Sequence, residues 1–172
     1  KFIFPAAFAY DEPIENLIKA FLDVVKNNQE CILYITGKWQ KKKFLKKYLP
    51  HQKIKLTGYL PRKEFYSLLT SSDVVIALTK RDYTFLCAAG EGLAAEKPLL
   101  LSKTRTLSRI FKKGAILIKS DDPIDIRRGL ELLLDTDIRR KLQQEIRELK
   151  TAYMINLEKK LNLLQKIIRV IS

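Results

Sequence analysis

Short apolar runs alternate with longer helix-like segments along most of this chain of 172 residues. Six of the runs have the length of buried strands and are bounded by turn residues or charged residues. Because parallel neighbours need a crossover connection, usually a helix, the alternation predicts a doubly wound α/β sheet of six parallel strands. The predicted strands span residues 1–5, 31–35, 53–57, 73–78, 98–101 and 115–118.

The segments between the strands predict helices that cover this sheet. The first has one apolar face, which is formed by Ile14, Leu17, Ile18, Phe21 and Val25. A lysine-rich helix is predicted at 38–49, ended by Pro50. The remaining helices are predicted at 61–69, 84–95, 104–111 and 122–134, followed by additional C-terminal helices at 138–149 and 154–170. We expect one domain over 1–172, with the sheet and its helices in 1–135 and the additional helices in 136–172.

The net charge of the chain, +14, is unevenly distributed. Between Cys31 and Lys63 there are ten basic residues and no acidic one. Such a charge indicates an anionic partner, which is a phosphate group, nucleic acid or a membrane surface. Nucleic acid is not expected, because the chain has the charge but neither a recognition motif nor a platform of stacking aromatic residues.

The lysine-rich helix bears on the membrane alternative. On a helical wheel, this helix has an apolar side and, opposite it, a basic side. The apolar side is formed by Phe44, Leu45, Tyr48 and Leu49, and the basic side by Lys42, Lys43, Lys46 and Lys47. Trp39 falls among the lysines, which suits peripheral contact of residues 38–47 with anionic lipid. The plainer interpretation is that Trp39 packs on its own domain while the lysines are solvated.

Several function classes find little support in the sequence. No run approaches the roughly 18 apolar residues of a transmembrane helix, and no secretory signal is present. Cys31 and Cys87 make neither a disulfide framework nor a metal site, so we expect both to be reduced core residues of a cytoplasmic protein. His51, the only histidine, cannot alone complete a triad or a zinc site, so neither a hydrolase nor a metal site is expected. The chain begins at Lys1, and we expect an excised fragment.

The loop after the fourth predicted strand is the first candidate for a ligand site, because ligands of open parallel sheets bind beyond the carboxyl ends of the strands. A phosphate there would meet Lys80, Arg81 and the free N–H groups at the start of the next helix. Glu91 lies two turns into that helix, on the face of Thr84. It is either a ligand-binding carboxylate or a helix carboxylate paired with Lys97 or Arg81.

Four motifs, in order along the chain, resemble a known family. They are Gly37 after the second strand and the segments 56–61 (LTGYLP), 72–76 (SDVVI) and 91–98 (EGLAAEKP). Together they resemble the C-terminal, donor-binding half of GT-B glycosyltransferases, closest to the retaining, glycogen-synthase-like group 1 family, over roughly residues 2–134.

The resemblance implies one of two facing Rossmann-like domains. It implies a nucleotide-diphosphate sugar as substrate rather than cofactor, a missing N-terminal acceptor domain as partner, and transfer to a polysaccharide or glycolipid acceptor. A location in the cytoplasm, with possible contact of the inner face of the membrane, follows as an expectation. The isolated half is not expected to turn over.

The resemblance also assigns roles on the phosphate and sugar side. Glu91 corresponds to the second glutamate of the family's Glu-x7-Glu motif, which is expected to bind the donor ribose. Tyr83 stands where the first glutamate, a sugar ligand, should be. Backbone N–H groups of Thr84, Phe85 and Leu86 are expected at the pyrophosphate.

On the base side, the turn of Gly58, Tyr59 and Leu60 is expected to contact the base, and Gly37 belongs to the same donor-binding set. The arginine and lysine that the family carries after its first strand are missing from residues 6–12. Other cations are therefore expected to neutralise the diphosphate, namely Lys38, Lys80 and Arg81.

Other interpretations stay open. One is a related GT-B nucleotide-sugar epimerase, for which no acid/base residues are identified. A second is a basic, non-catalytic α/β module that docks on a membrane or nucleic acid, and a third is a degenerate relative, because of Tyr83. The last predicted helix has more apolar residues than one face should bury, and this surplus marks either the missing domain's surface or self-association. The residues of the regular face are Met154, Leu157, Leu161, Leu164 and Ile168, and the additional ones are Ile155, Leu163, Ile167 and Val170.

Overall fold

The computed structural model describes residues 1–26, 30–49 and 51–171, of which residues 169–171 are described by backbone alone. Pro50, the predicted end of the lysine-rich helix, lies outside the described residues. Six parallel strands form one sheet in the order β3-β2-β1-β4-β5-β6, which confirms the predicted fold. The strands are β1 Phe2–Pro5, β2 Leu33–Thr36, β3 Ile54–Gly58, β4 Val74–Ala77, β5 Leu99–Ser102 and β6 Ala115–Ile118.

The strand order reverses at β1, which pairs with β2 on one side and β4 on the other. Such a reversal leaves a crevice at the carboxyl ends of the two strands. β4 and β5 are buried along their whole length, as their sequences, which are apolar except for Ser102, predict for strands covered on both faces.

Helices cover both faces of the sheet. They are α1 Ile14–Val24, α2 Arg62–Ser71, α3 Cys87–Ala94, α4 Arg105–Ile110, α5 Pro123–Leu134 and α6 Thr136–Ile171. The side chains of Thr104 and Asp122 accept hydrogen bonds from backbone N–H groups at the starts of α4 and α5. Because strand side chains alternate, Phe2 and Phe4 enter the core beneath α1 and α5, while Ile3 enters the core on the opposite face.

The lysine-rich segment is a short 3₁₀ helix, Lys43–Tyr48, rather than the predicted α-helix over 38–49. Its two buried side chains, Leu45 and Tyr48, are three residues apart, which matches the three-residue turn of a 3₁₀ helix. Lysines four residues apart would also repel one another in an α-helix. Phe44 and Leu49 are exposed instead of joining the apolar side, and Trp39 packs against the core. The plainer interpretation of Trp39 is therefore the better one.

α3 begins at Cys87, three residues later than predicted, so Thr84 and Phe85 precede the helix and Leu86 is its extended N-cap residue. The Phe85 ring folds back over Gly90, where an added Cβ would lie 3.3 Å from ring atoms. The prediction that Thr84 and Glu91 share one helical face was wrong, because Thr84 lies outside the helix.

α6 is one continuous helix of 36 residues, not the two predicted at 138–149 and 154–170. The sequence at the expected break, residues 150–153, contains no glycine or proline to interrupt a helix. Lys150 ties the helix to the end of α3 by donating to the Ala94 carbonyl at 2.9 Å. Beyond it, the described side chains from residue 151 to 168 are exposed. None of the described helices is long and apolar enough to cross a membrane.

The two cysteines differ in their surroundings. Cys31 lies just before β2 and is half-buried. Cys87 is exposed at the first turn of α3, so the prediction of a core residue was wrong for Cys87, because the helix begins at the sheet edge rather than inside the core.

Candidate functional site

A cleft of about 650 Å³ lies at the carboxyl ends of the strands, at the point where the strand order reverses. Its walls are formed by residues at the ends of β1, β2 and β4, by the turn after β3 and by the start of α3. A crevice at this place in a doubly wound sheet is the usual ligand site. Six of the predicted site residues line it, namely Gly37, Tyr59, Leu60, Phe85, Leu86 and Glu91.

Glu91 projects from α3 into this cleft. Neither Lys97 nor Arg81 contacts its carboxylate, and within the described ranges no hydrogen bond or ion pair engages its side chain. Burial raises the pKa of Glu91, with no neighbouring charge to offset it. An ionised carboxylate accepts hydrogen bonds only, so Glu91 is open to hydroxyl donors of a ligand.

Two glycines bring the ends of three strands together on the opposite wall. Gly37, with φ 110°, and Gly58, with φ 76°, both have left-handed backbone, and the Gly37 N–H donates to the Gly58 carbonyl at 2.8 Å. A Cβ on Gly37 would lie 2.1 Å from the Ala6 carbonyl oxygen, so only glycine fits. Gly58 itself is not among the described residues of the cleft lining, but the next two residues, Tyr59 and Leu60, line the cleft.

Tyr59 extends from this turn with 72% of its surface exposed. The Lys38 ammonium lies 5.8 Å from the centre of its ring, which is a cation–π contact at the rim of the cleft. Lys38 thus lies beside Tyr59 on the predicted base side, and it is not among the described residues of the cleft lining.

Arg81 points away from the cleft, toward the loop between β1 and α1. Its guanidinium donates to the Tyr10 hydroxyl at 3.1 Å and forms an ion pair with Asp11 at 3.5 Å. Both contacts raise the pKa of Arg81. Lys80 lines a smaller neighbouring cavity of about 280 Å³. The two cations therefore flank the cleft and do not form its wall.

Tyr83 also lies outside the cleft. It is 76% exposed, and its hydroxyl accepts a hydrogen bond of 2.7 Å from Arg105 at the start of α4. The Arg105 guanidinium lies over the Tyr83 ring and forms an ion pair with Asp82 at 3.2 Å. Thr84 is half-buried in the same loop and is not among the described lining residues.

Two charged residues of the cleft lining were missed by sequence reasoning. Glu12 precedes α1, and its carboxylate accepts hydrogen bonds from the backbone N–H groups of Ala7 and Ala9, at 3.0 Å each. Arg62 begins α2, with its guanidinium 5.7 Å from the Tyr66 ring centre. In the sequence, Glu12 was noted only as part of the segment 6–12, which lacks cations. Arg62 was noted only as one of the ten basic residues between Cys31 and Lys63.

The sequence model of the group 1 glycosyl transferases matches residues 1–149. The chain belongs to this family. A comparison with curated protein sequences found no significant match.

Solved structures of glycosyltransferases share the fold. The C-terminal domain of LpcC, a group 1 family protein from Francisella tularensis, has a TM-score of 0.75 at 18% identity, over 88% of this chain and 84% of that one. Sucrose-phosphate synthase from Thermosynechococcus elongatus has a TM-score of 0.75 at 15% identity, over 99% of this chain and 46% of that one. HepE from Anabaena, crystallised with UDP and glucose, has a TM-score of 0.71 at 13% identity, over 95% and 48%.

This group 1 glycosyl transferase chain thus spans about half the length of HepE and the synthase. At these identities the likeness shows the fold alone. Within the described residues, no group of three or more His, Cys, Asp or Glu side chains is placed to hold a metal ion. Among the described residues, the charged side chains that line the cleft are Glu12, Arg62 and Glu91.

Proposed function

We propose that this chain is the donor-binding half of a glycosyltransferase and holds a nucleotide-diphosphate sugar in the cleft. The observation that carries the proposal is the Glu91 carboxylate, which is half-buried, without a partner among the described residues, and directed into a cleft of about 650 Å³. That cleft lies at the switch point of a sheet in a chain that belongs to the group 1 family.

The nucleoside would lie between the two walls of the cleft. Glu91 would accept hydrogen bonds from the ribose hydroxyls, which gives a half-buried carboxylate the donors that it lacks in the free protein. Tyr59, Leu60 and the backbone of Gly37 form the wall for the base. HepE, a structural neighbour with the same fold, was crystallised with UDP, which makes UDP a suitable first ligand to test.

The start of α3 would face the phosphates. No side chain caps this helix, and Leu86, Cys87 and Ala88 line the cleft, so the N–H groups of the first turn would be free to bind a phosphate there. The sequence predicted the backbone N–H groups of Thr84, Phe85 and Leu86 for this role. The proposed groups are different because the helix begins three residues later than predicted. Fixed N–H donors at a helix N-terminus stabilise the charge that develops on a departing diphosphate.

The acceptor and the sugar-transferring activity would require a second domain. The proposed acceptor is a polysaccharide or glycolipid, held by an N-terminal domain that faces the cleft. The proposal therefore predicts ligand binding by this chain, and turnover only with its partner domain.

Saturation-transfer NMR on the chain tests the proposal. The ligands are uridine, guanosine, adenosine, their diphosphates and the corresponding nucleotide sugars. We expect signals for ligands of one base with the wild-type chain, lost with Glu91→Ala and kept with Glu64→Ala, which removes an exposed carboxylate on α2. Signals that persist in Glu91→Ala, or that are the same for all three bases, would contradict a donor site in which Glu91 binds the ligand.

A further inference from the structure

The loop that follows β1 is shaped to bind an anion. Phe8 has a left-handed backbone, with φ 58°, between the N–H groups of Ala7 and Ala9. Successive N–H groups around a left-handed residue form a concavity that binds anions. The anion in this concavity is the chain's own Glu12: one carboxylate oxygen accepts from Ala7 and the other from Ala9, at 3.0 Å each.

The loop lies at the switch point of the sheet. It follows the strand at which the strand order reverses, where doubly wound sheets bind their ligands. Glu12 lines the same cleft as Glu91. Among the described lining residues, Arg62 is the single cation beside these two carboxylates, so the charge of the free cleft opposes a diphosphate.

Two lysines line a second cavity that Glu12 also borders. Lys42 and Lys80 line the smaller cavity of about 280 Å³, and Glu12 borders both this cavity and the cleft. Neither lysine is hydrogen-bonded to Glu12, whose carboxylate is held by the loop. A Glu12 side chain that left the loop would therefore have basic partners within the adjacent cavity.

We propose that Glu12 is a specificity-determining residue of the cleft, because its carboxylate occupies a second backbone anion site, besides the start of α3, that a diphosphate would otherwise use. A diphosphate binds to the N–H groups of Ala7 and Ala9 only after Glu12 turns away toward Lys42 and Lys80. This inference rests on the proposed function, since it concerns the diphosphate of the same donor. It predicts that the free chain recognises mainly the nucleoside part of a nucleotide.

Burial and charge agree with this role. Burial raises the pKa of Glu12, and the hydrogen bonds from Ala7 and Ala9 offset only part of that effect. A second anion at this loop would meet a carboxylate of the same sign, which disfavours binding strongly at close range. Removal of the carboxylate frees two N–H donors and removes the repulsion in one step.

The test is isothermal titration calorimetry of four proteins: wild type, Glu12→Ala, Glu12→Gln and Glu131→Gln. The last removes a carboxylate that pairs with Arg127 on α5, away from the cleft, and serves as the control for net charge. The ligands are a nucleoside, its diphosphate and inorganic pyrophosphate, and circular dichroism checks that each variant is folded.

For the wild type and Glu131→Gln, we expect the nucleoside diphosphate to bind no more tightly than the nucleoside. Glu12→Ala should bind the diphosphate at least about tenfold more tightly, with nucleoside affinity changed less than about twofold. Glu12→Gln keeps the size of the side chain, so its gain should be smaller. It also serves as the test variant if Glu12→Ala does not fold.

Unchanged or weaker diphosphate binding by the folded variants, with nucleoside binding intact, would overturn the role of Glu12. Pyrophosphate separates this failure from failure of the proposed function. Pyrophosphate is also followed by NMR. If no nucleoside binds any variant but pyrophosphate shifts the amide resonances of residues 7–9 in Glu12→Ala, the proposed donor function is refuted and the anion site in the loop is supported. If pyrophosphate leaves those amides unmoved in every folded variant, the inference fails whatever the nucleoside does.

Discussion

Gly37 and Gly58 form a matched pair that tests how the fold shapes the cleft. Both have left-handed backbone, with φ 110° and 76° respectively, so alanine at either position carries a conformational cost. They differ in the space around the added methyl group. At Gly37 it would lie 2.1 Å from the Ala6 carbonyl oxygen, whereas at Gly58 the nearest atom is the Gln40 amide nitrogen at 3.4 Å.

The two substitutions should therefore differ in their effect on the free energy of unfolding. Gly58→Ala should cost about 1–2 kcal/mol, since only the left-handed conformation is penalised. Gly37→Ala should cost about 3 kcal/mol or more, because the ends of β1 and β2 must also move apart to relieve a clash between backbone atoms. For a chain of this size, about 3 kcal/mol lowers the Tm by about 6–12 °C.

Urea denaturation followed by circular dichroism measures both values, with thermal melts as a second reading. A larger loss for Gly37→Ala, at an unchanged m-value, would agree with the geometry at Ala6. Equal losses for the two variants would refute the argument that contact with Ala6, rather than backbone conformation, fixes glycine at position 37.

Three further predictions concern charged and aromatic groups. Because burial raises the pKa of Glu91, nucleoside affinity, which needs the ionised carboxylate, should begin to fall at a higher pH than the ordinary glutamate value of about 4.3; a titration by calorimetry between pH 4 and 8 checks this, and a flat profile would contradict it. The pKa of Glu96 is lowered, chiefly by Lys150 and then by Arg147, so its contribution to stability is present above the unfolded-state pKa and lost as the pH falls through the lower folded-state value. Glu96→Gln should therefore reduce the loss of stability below about pH 4, measured by urea denaturation, and an identical acid profile would argue against the ion pairs. Tyr83→Glu should not increase affinity for a nucleotide sugar, because position 83 faces Arg105 outside the cleft; a gain of more than about threefold over the wild type, measured by calorimetry, would show that the loop can turn inward.

The sheet could be predicted from the sequence because its strands are apolar runs that alternate with helical segments. Val74–Ala77 and Leu99–Ser102 are buried on both faces, and their sequences are apolar except for Ser102, which leaves few alternatives to a buried strand. The start of α3 could not be predicted, since its N-cap residue is Leu86, which provides no side-chain cap to mark the helix start. The 3₁₀ helix could not be predicted either, because it depends on the tertiary burial of Leu45 and Tyr48.

The candidate site was predicted in part. Glu91, Tyr59 and Leu60 line the cleft because the strands before them end at one edge of the sheet. Arg81 was expected at a phosphate, but it pairs with Tyr10 and Asp11, which are about seventy residues away in sequence. Glu12 was missed because its partners are backbone N–H groups, whose direction depends on the left-handed conformation of Phe8 rather than on residue type.

The most direct test of the central claim is a titration of the ¹⁵N-labelled chain with the nucleoside that gives saturation transfer, followed by amide resonances. A nucleoside held between Glu91 and the Gly58 turn should shift the amides of residues 37, 59–60 and 85–91, and Glu91→Ala should abolish the shifts. Shifts confined to the lysine-rich segment of residues 41–49, or shifts that survive Glu91→Ala, would contradict a nucleotide-sugar cleft at the switch point of the sheet.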